Sequence, residues 1–299
     1  MLRRGLPVRA AVRAGSAERV PQGCAIVSID NLSATTDWTE ALRGVTTVIH
    51  LAARAHVMRE DAQDPLAEFR KANVAATAHL ARQAAEHGVR RLVIASSIKV
   101  NGDATEGARR FSEADVPAPV DAYGMSKWEA EQALHRIAAE TGLEVVVVRP
   151  PLVYGSGVKG NFAAMLGVLR RGVPLPLASV RNGRSLVYVG NLVDALLCCA
   201  KHPAAAGQTY LVSDGEDLST PDLLRRLGEA MARPARLWPC PPALLLGGAR
   251  FLGRGAPMER LLGSLRVDDQ KIRRELGWAP PYSVAEGMKA TVECEWLIS

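Results

Sequence analysis

Tyr123 and Lys127 stand four residues apart in the stretch Tyr123-Gly-Met-Ser-Lys127. On a helix that spacing puts both side chains on one face, so the ammonium can sit near the phenol. A neighbouring cation stabilises a phenolate and draws its pKa from ~10 toward neutrality. Such a tyrosine can exchange a proton with a sugar or alcohol hydroxyl while a nicotinamide takes or gives hydride. Upstream, Ser96-Ser97 closes a short apolar run, and Val100-Asn-Gly102 follows. A serine hydroxyl at the C-terminal end of a strand can hydrogen-bond the same substrate oxygen. A core tyrosine beside a solvated lysine would show the same spacing. The serine pair at the strand end weighs against that bland alternative.

These residues need a scaffold, and the middle of the chain supplies one. Thr46-Thr-Val-Ile49, Arg91-Leu-Val-Ile-Ala95 and Glu144-Val-Val-Val-Val148 read as short buried strands. Helical patterns from about Pro65 to Glu86 and from Tyr123 to Thr141 separate them. Continuous apolar strands alternating with amphipathic helices pair in parallel, with helices on both faces. Val187-Tyr188-Val189 and Gln208–Val212 are later, shorter strands. Ser219-Thr220-Pro221-Asp222 opens a helix, with a capping hydroxyl, an early proline and an acid in the first turn. The pattern predicts an α/β fold: a doubly wound, parallel-sheet Rossmann domain followed by a smaller, mostly helical subdomain. The dinucleotide-binding domain spans 1–160, with 186–213 returning to it; 161–185 and 214–299 form the substrate-binding subdomain.

Composition bounds the function. The 299 residues are 48% hydrophobic and 23% charged, ordinary for a globular protein with a sizeable core. The net charge of +6 is modest and the arginines are scattered without interleaved aromatics, so the expectation is an anionic small ligand and no nucleic acid. No apolar run reaches membrane-spanning length. Cysteines at 24, 198, 199, 240 and 294 show no zinc-type spacing, which predicts no metal and a reducing, cytoplasmic setting. The basic start superficially resembles a targeting peptide, but Arg9 and Arg13 interrupt any apolar region.

The hexapeptide Gly155-Ser-Gly-Val-Lys-Gly160 matches the dinucleotide fingerprint on paper. In that motif the glycines lead directly from strand to helix, and an acid follows ~20 residues on. Here Arg149-Pro150-Pro151 and Leu152-Val-Tyr154 intervene after the buried strand, and no acid appears between Glu144 and Asp194. The hexapeptide reads as a decoy for cofactor binding. At the N-terminus, Pro7–Val12 and Cys24–Ile29 read as strands, preceded only by what looks like the last turn of a helix. The expectation is a chain that enters the fold after the first strand and its glycine-rich turn, about twenty residues late when set against a ~30-residue βαβ unit.

With these residues in view, the chain resembles the extended short-chain dehydrogenase/reductases, the NAD-dependent epimerase/dehydratase group acting on nucleotide sugars. By that resemblance Ser97, Tyr123 and Lys127 fall on the catalytic positions. His50-Leu51-Ala52-Ala53 is similar to the loop that passes under the cofactor, and Asn73-Val-Ala-Ala-Thr77 to a segment whose asparagine belongs to the active site. Arg149-Pro150-Pro151-Leu-Val-Tyr-Gly155 resembles the stretch beside the nicotinamide and the sugar, so Pro150 is a cofactor contact. Asn161 and Phe162 then fall on the substrate loop, and Arg184 on an arginine that binds the substrate pyrophosphate. Asp30 takes the place of an acid near the adenine amino group, and is equally at home as a strand-ending turn residue. The resemblance implies a UDP-linked sugar substrate and a homodimer.

Two departures sharpen the reading. Dehydratases of this group carry Asp-Glu after the catalytic hydroxyl; here those positions are Ile98 and Lys99, which disfavours dehydration. Lys99 is either a surface lysine or a cation facing a 4-keto oxygen. NAD-using members end the second strand with an acid, whereas this chain has Ala11-Val12-Arg13. Arg13 is either a solvent residue or a partner for a 2′-phosphate, which leaves both NADP(H) and NAD(H) open. Ser96-Ser-Ile-Lys-Val-Asn-Gly102 resembles the O-antigen branch of the family, handling UDP-N-acetylhexosamines and their 6-deoxy-4-keto derivatives. The expected activity is C4 epimerisation or 4-keto reduction; the rival is a non-catalytic nucleotide sensor or scaffold on the same fold.

Overall fold

The computed structural model describes residues 2, 5–55, 64–158 and 160–296; at 161 and 294–296 it describes the backbone alone. The chain divides into two compact units of similar length: residues 1–100, 117–149 and 196–210, and residues 101–116, 150–195 and 211–299.

The first unit begins with β1 (Arg9–Arg13) and β2 (Ala25–Ile29), a parallel pair forming a two-stranded sheet. Arg9 donates to the carbonyls of Glu40, Ala41 and Arg43 around α1 (Thr39–Leu42), which ties β1 to that helix. β3 (Thr47–His50) is an edge of the four-stranded sheet, in the order β3-β4-β5-β8. β4 (Arg91–Ala95) lies parallel to both β3 and β5 (Glu144–Arg149), and β8 (Thr209–Leu211) follows β5. The apolar runs predicted this: Leu92, Val93, Ile94 and Val146–Val148 are fully buried, as strands covered on both faces must be.

The helices over these strands follow equally physical cues. Asp64 caps α2 (Pro65–Phe69), with proline in its first turn. A π-helical turn, Arg70–Ala75, continues into α3 (Ala76–Glu86). Asp121 caps α4 (Ala122–Thr141), and Gly142, left-handed at φ 76°, ends it. α3 and α4 bury Leu80, Ala84, Leu134 and Ile137 against Leu92, Ile94, Val145 and Val147.

The second unit is helical outside one small sheet. It holds a three-stranded sheet of β6 (Leu152–Tyr154), β7 (Arg184–Tyr188) and β9 (Asp217–Leu218), with β6 and β7 parallel and β9 antiparallel. The strand read at Val187-Tyr188-Val189 overlaps β7; β6 and β9, of three and two residues, carry too little pattern to be read in advance. Around it lie α5 (Gly160–Arg170), the start of α6 (Val189–Lys201), α7 (Thr220–Ala230), α8 (Pro242–Phe251), α9 (Gly255–Leu262), α10 (Gln270–Leu276) and α11 (Val284–Trp296). Ser219 caps α7 through Asp222 N, the start signal anticipated.

His50, at the end of β3, is buried with Nε2 3.0 Å from Thr77 Oγ1. Burial and the charge of Lys127 push its pKa down to about 3. Between its ordinary value and about 3, the unfolded chain takes up a proton that the folded imidazole refuses, so stability falls as pH drops through that window. By about pH 5 this group alone should remove roughly 2 kcal/mol. Thermal melts from about pH 7 to about pH 5 should therefore decline, and His50→Gln, which can still meet Thr77, should decline less steeply. Parallel curves would reject the assignment.

Candidate active site

The site hangs on α4. In its first turn Gly124 leaves no room for a side chain, because a Cβ there would lie 2.7 Å from the Lys99 carbonyl oxygen. The glycine lets α4 close against the 3-10 turn Ile98–Val100 that follows β4. That approach brings Tyr123 near enough to Ser97 for the serine hydroxyl to favour the phenolate. Phe69 meets the Tyr123 ring edge-on, centroids 6.1 Å apart, and the Arg54 guanidinium lies over the other ring at 5.5 Å.

One turn on, Lys127 is 2% exposed and donates from Nζ to the Ala95 carbonyl at 2.8 Å, at the end of β4. Burial pushes its pKa down to about 8, against the opposing pull of the Glu131 carboxylate. Tyr123 is shifted upward, chiefly by burial, with Asp121 adding to the shift and the Ser97 hydroxyl opposing it. The expectation of a phenol drawn toward neutrality by Lys127 is therefore corrected: desolvation prevails, and the ammonium is committed to a backbone carbonyl. The phenol rests protonated.

A further turn along, Glu131 is fully buried and accepts from both Arg149 Nε (3.1 Å) and Nη2 (2.5 Å). It also accepts from the Ser96 hydroxyl. The serine pair is thereby divided: Ser96 is tied into this buried network, and Ser97 faces Tyr123. Asn73 lies inside the π-helical turn and is buried. Its Oδ1 accepts from Arg54 N at 2.7 Å, while Nδ2 donates to Arg54 O (3.1 Å) and Ser126 Oγ (3.0 Å). Ser126 in turn donates to Tyr123 O at 2.8 Å. Asn73 thus fastens the segment after β3 to the helix carrying Tyr123. π-turns concentrate at functional sites because the extra residue re-aims one side chain.

The other sequence candidates are placed as follows. Arg13 is exposed at the end of β1 and pairs in register with Ile29, so Asp30 follows at the adjoining strand end, also exposed. Leu51 and Ala52 are exposed after β3 and Ala53 is half-buried. Lys99 forms a 3.1 Å ion pair with Asp121, the residue capping α4. All these belong to the first unit. Pro150, Asn161, Phe162 and Arg184 belong to the second. Pro150 is buried; Asn161 is in the first turn of α5, its side chain outside the described atoms. Phe162 is corrected: it is fully buried and stacked on Tyr154 at 5.5 Å, a core ring that offers no face to a ligand. Arg184 donates from Nη1 to the carbonyls of Arg260 (2.5 Å) and Gly263 (3.2 Å).

The hexapeptide needs one correction too. β6 directly precedes Gly155 and α5 starts at Gly160, so a strand-to-helix turn does exist there. The missing acid is unaffected, and Gly155 has a packing reason: a Cβ would lie 2.4 Å from Val189 Cγ1.

The profile of the NAD dependent epimerase/dehydratase family matches residues 2–213, and the chain belongs to this family. It is 42% identical over 269 residues to a UDP-glucose 4-epimerase of Vibrio cholerae, covering 90% of this chain and 82% of that protein. It is 25% identical to the N-acetyl-alpha-D-glucosaminyl-diphospho-ditrans,octacis-undecaprenol 4-epimerase of Escherichia coli O157:H7, covering 86% and 80%. In fold it matches the UDP-glucose 4-epimerase of Thermotoga maritima solved with UDP-glucose, with a TM-score of 0.77 at 22% identity over 99% and 93% of the two chains.

Glu131 holds up the Lys127 pKa, so its neutral analogue should let that pKa fall further. If protonated Lys127 is required, kcat/KM falls on the alkaline side near pH 8, and Glu131→Gln moves that limb lower by roughly one unit. A pH–rate profile checks this; an unmoved limb would separate Glu131 from the lysine.

Proposed function

We propose that this protein is a nucleotide-sugar 4-epimerase, taking a UDP-linked hexose or N-acetylhexosamine and inverting C4. The observation that carries the reading is the buried Lys127, fixed on the Ala95 carbonyl at 2.8 Å one turn beyond Tyr123 on the same helix, with Ser97 just past the end of β4. The 42% identity to an epimerase, covering most of both chains, supports it.

In this reading the Ser97 hydroxyl holds the C4 oxygen of the sugar. The Tyr123 phenol gives its proton to that oxygen when it is a ketone and recovers one when it is a hydroxyl. Lys127, held by the Ala95 carbonyl, steadies the phenolate in the interval. A bound nicotinamide supplies the acceptor and donor of hydride. Such a group would lie along the exposed strand ends of the first unit. Tyr123, Lys127, Asn73 and the 51–53 segment would hold the nicotinamide riboside, with Pro150 beside it, and Arg13 and Asp30 the adenosine end. Arg184 and Asn161 in the second unit would hold the diphosphate and sugar. Among the described residues no disulfide joins the cysteines, which supports a cytosolic protein; the family resemblance supports a homodimer.

A second reading, 4-keto reduction, draws support from the phenol that rests protonated, ready to deliver its proton to a ketone. Incubation with UDP-glucose or UDP-N-acetylglucosamine, and separately with a 4-keto-6-deoxy derivative and NADPH, distinguishes them. C4 inversion without net reductant use marks the epimerase; consumption of NADPH with the keto sugar marks the reductase. Tyr123→Phe should lower turnover at least about a hundredfold, the scale of general acid–base catalysis, while sugar-nucleotide affinity stays within about threefold. Near-normal turnover would remove the tyrosine from the mechanism.

The cofactor preference is proposed as NADP(H), because the exposed Arg13 stands where a ribose-binding acid is expected. Loss of a charge-assisted hydrogen bond costs about 1.5–3 kcal/mol, so Arg13→Ala should weaken NADP(H) binding roughly tenfold or more and leave NAD(H) binding unchanged. Calorimetric titration of both cofactors measures this, and tighter NAD(H) binding by the parent protein would refute it.

A further inference from the structure

Residues 233–262 of the second unit are unlike the rest of the surface. α8, the turn after it and the segment before it expose large apolar side chains in close succession: Trp238 (49%), Leu244 (67%), Phe251 (90%) and Leu252 (72%). Leu244 and Phe251 are seven residues apart on α8, so they share one face. Gly247 and Gly248 lie beside them and keep that face low. The opposite face is committed inward: Ala249 is buried, and Leu245, with Leu261 and Leu262 of α9, packs on the core of the unit.

The charge around this face has one sign. Arg233, Arg236, Arg250, Arg254 and Arg260 fall within the segment, and Glu259 is its single acid. That acid forms a 2.7 Å ion pair with Arg250, which clasps α8 to α9. The hairpin is held by main chain as well: Gly253 turns at φ 68°, and Arg254 N donates to Ala249 O at 2.7 Å. Leu175 N accepts no freedom either, donating to Arg236 O at 2.8 Å, while Trp238 N donates to Leu175 O at 3.0 Å. The exposed apolar groups are therefore presented by a braced element.

We propose that the α8–α9 hairpin docks this protein on the surface of an anionic lipid bilayer, Trp238, Leu244, Phe251 and Leu252 entering the interface and the arginines meeting lipid phosphates. An exposed apolar face rimmed by arginine, with tryptophan, phenylalanine and leucine at its centre, is the composition of helices that lie in the headgroup region. Each basic residue adds attraction to an anionic leaflet, and that part weakens with salt. Charge complementarity selects this occupant over a second copy of the chain, since a two-fold contact through this face would set the same five arginines against themselves. The helix lies on the surface, for among the described residues no helix is long and apolar enough to cross a membrane.

The test is co-sedimentation of the protein with vesicles of phosphatidylcholine containing about one quarter phosphatidylglycerol, beside vesicles of phosphatidylcholine alone. Binding to the anionic vesicles, reduced by salt and lowered at least about tenfold in a Phe251→Ser/Leu252→Ser variant of unchanged melting temperature, is expected. Arg254→Gln should reduce the preference for anionic vesicles while keeping the melting temperature. Failure of the parent protein to bind anionic vesicles, or equal binding by the Phe251→Ser/Leu252→Ser variant, overturns the proposal. So does self-association that this variant abolishes in the absence of vesicle binding, which would assign the face to a second copy. None of these readouts depends on turnover, so they stand apart from the proposed epimerase activity.

Discussion

The arrangement depends on one buried carboxylate. Glu131 has no exposed surface, yet it takes a two-point ion pair from Arg149 at the end of β5 and a hydrogen bond from Ser96 just past β4. A buried ion pair gains little net stability, because desolvating both charges offsets most of their attraction. What it supplies here is register. Hydrophobic packing of α4 on the sheet would tolerate small slides along the helix axis; a planar guanidinium bonded to both carboxylate oxygens would not. Tyr123, Lys127 and Glu131 recur every four residues on α4, so fixing the last fixes the first two. The Trp128 ring, 5.9 Å from the Arg149 guanidinium, covers the pair from the side.

The same site carries groups that work against stability. Lys127 is held in a place where its charge is disfavoured, and His50 in one where it stays neutral. A core built for stability alone would fill these positions with leucine or methionine. Local rules are broken where function needs them broken, and the surrounding structure has to compensate. The compensation is visible around Lys127, where the carbonyl of Ala95 and the charge of Glu131 both favour the ammonium. Around His50 it is a single hydroxyl, Thr77.

How much of this was legible in the sequence follows from the range of each signal. The strands at 91–95 and 144–149 and the long helix after Asp121 could be read, because apolar runs and caps are local. Tyr123, Lys127 and Ser97 could be picked out because helix spacing and a strand end suffice to define them. The Glu131–Arg149 pair was not legible, since eighteen residues separate its members and Arg149 drew notice only as part of the stretch it shares with Pro150 and Gly155. The π-helical turn at 70–75 was equally hidden: one extra residue in a turn leaves the average helical pattern of 65–86 almost unchanged. Phe162 was misread because a resemblance fixes position along the chain but not which way a ring points, and here it stacks on Tyr154. The upward shift of Tyr123 was out of reach for the same kind of reason, as burial has no local code.

Several contacts that position Tyr123 and Lys127 run through backbone atoms. Lys127 donates to Ala95 O, Ser126 to Tyr123 O, and Asn73 bonds both N and O of Arg54. Ala95 and Arg54 therefore contribute by where their peptide groups lie, and a different side chain at either would leave those bonds in place. Gly124 acts through the backbone as well, by what it omits. The carbonyl that meets Lys127 lies at the C-terminal end of a parallel strand, where the sheet stops and its peptide groups can turn to side chains. That is the general reason open α/β sheets place their sites at this edge. In this chain the reason can be traced to atoms: β4 ends at Ala95, Ser96 turns inward to Glu131, Ser97 lies toward Tyr123, and the lysine between Tyr123 and Glu131 is held by the strand's own last carbonyl.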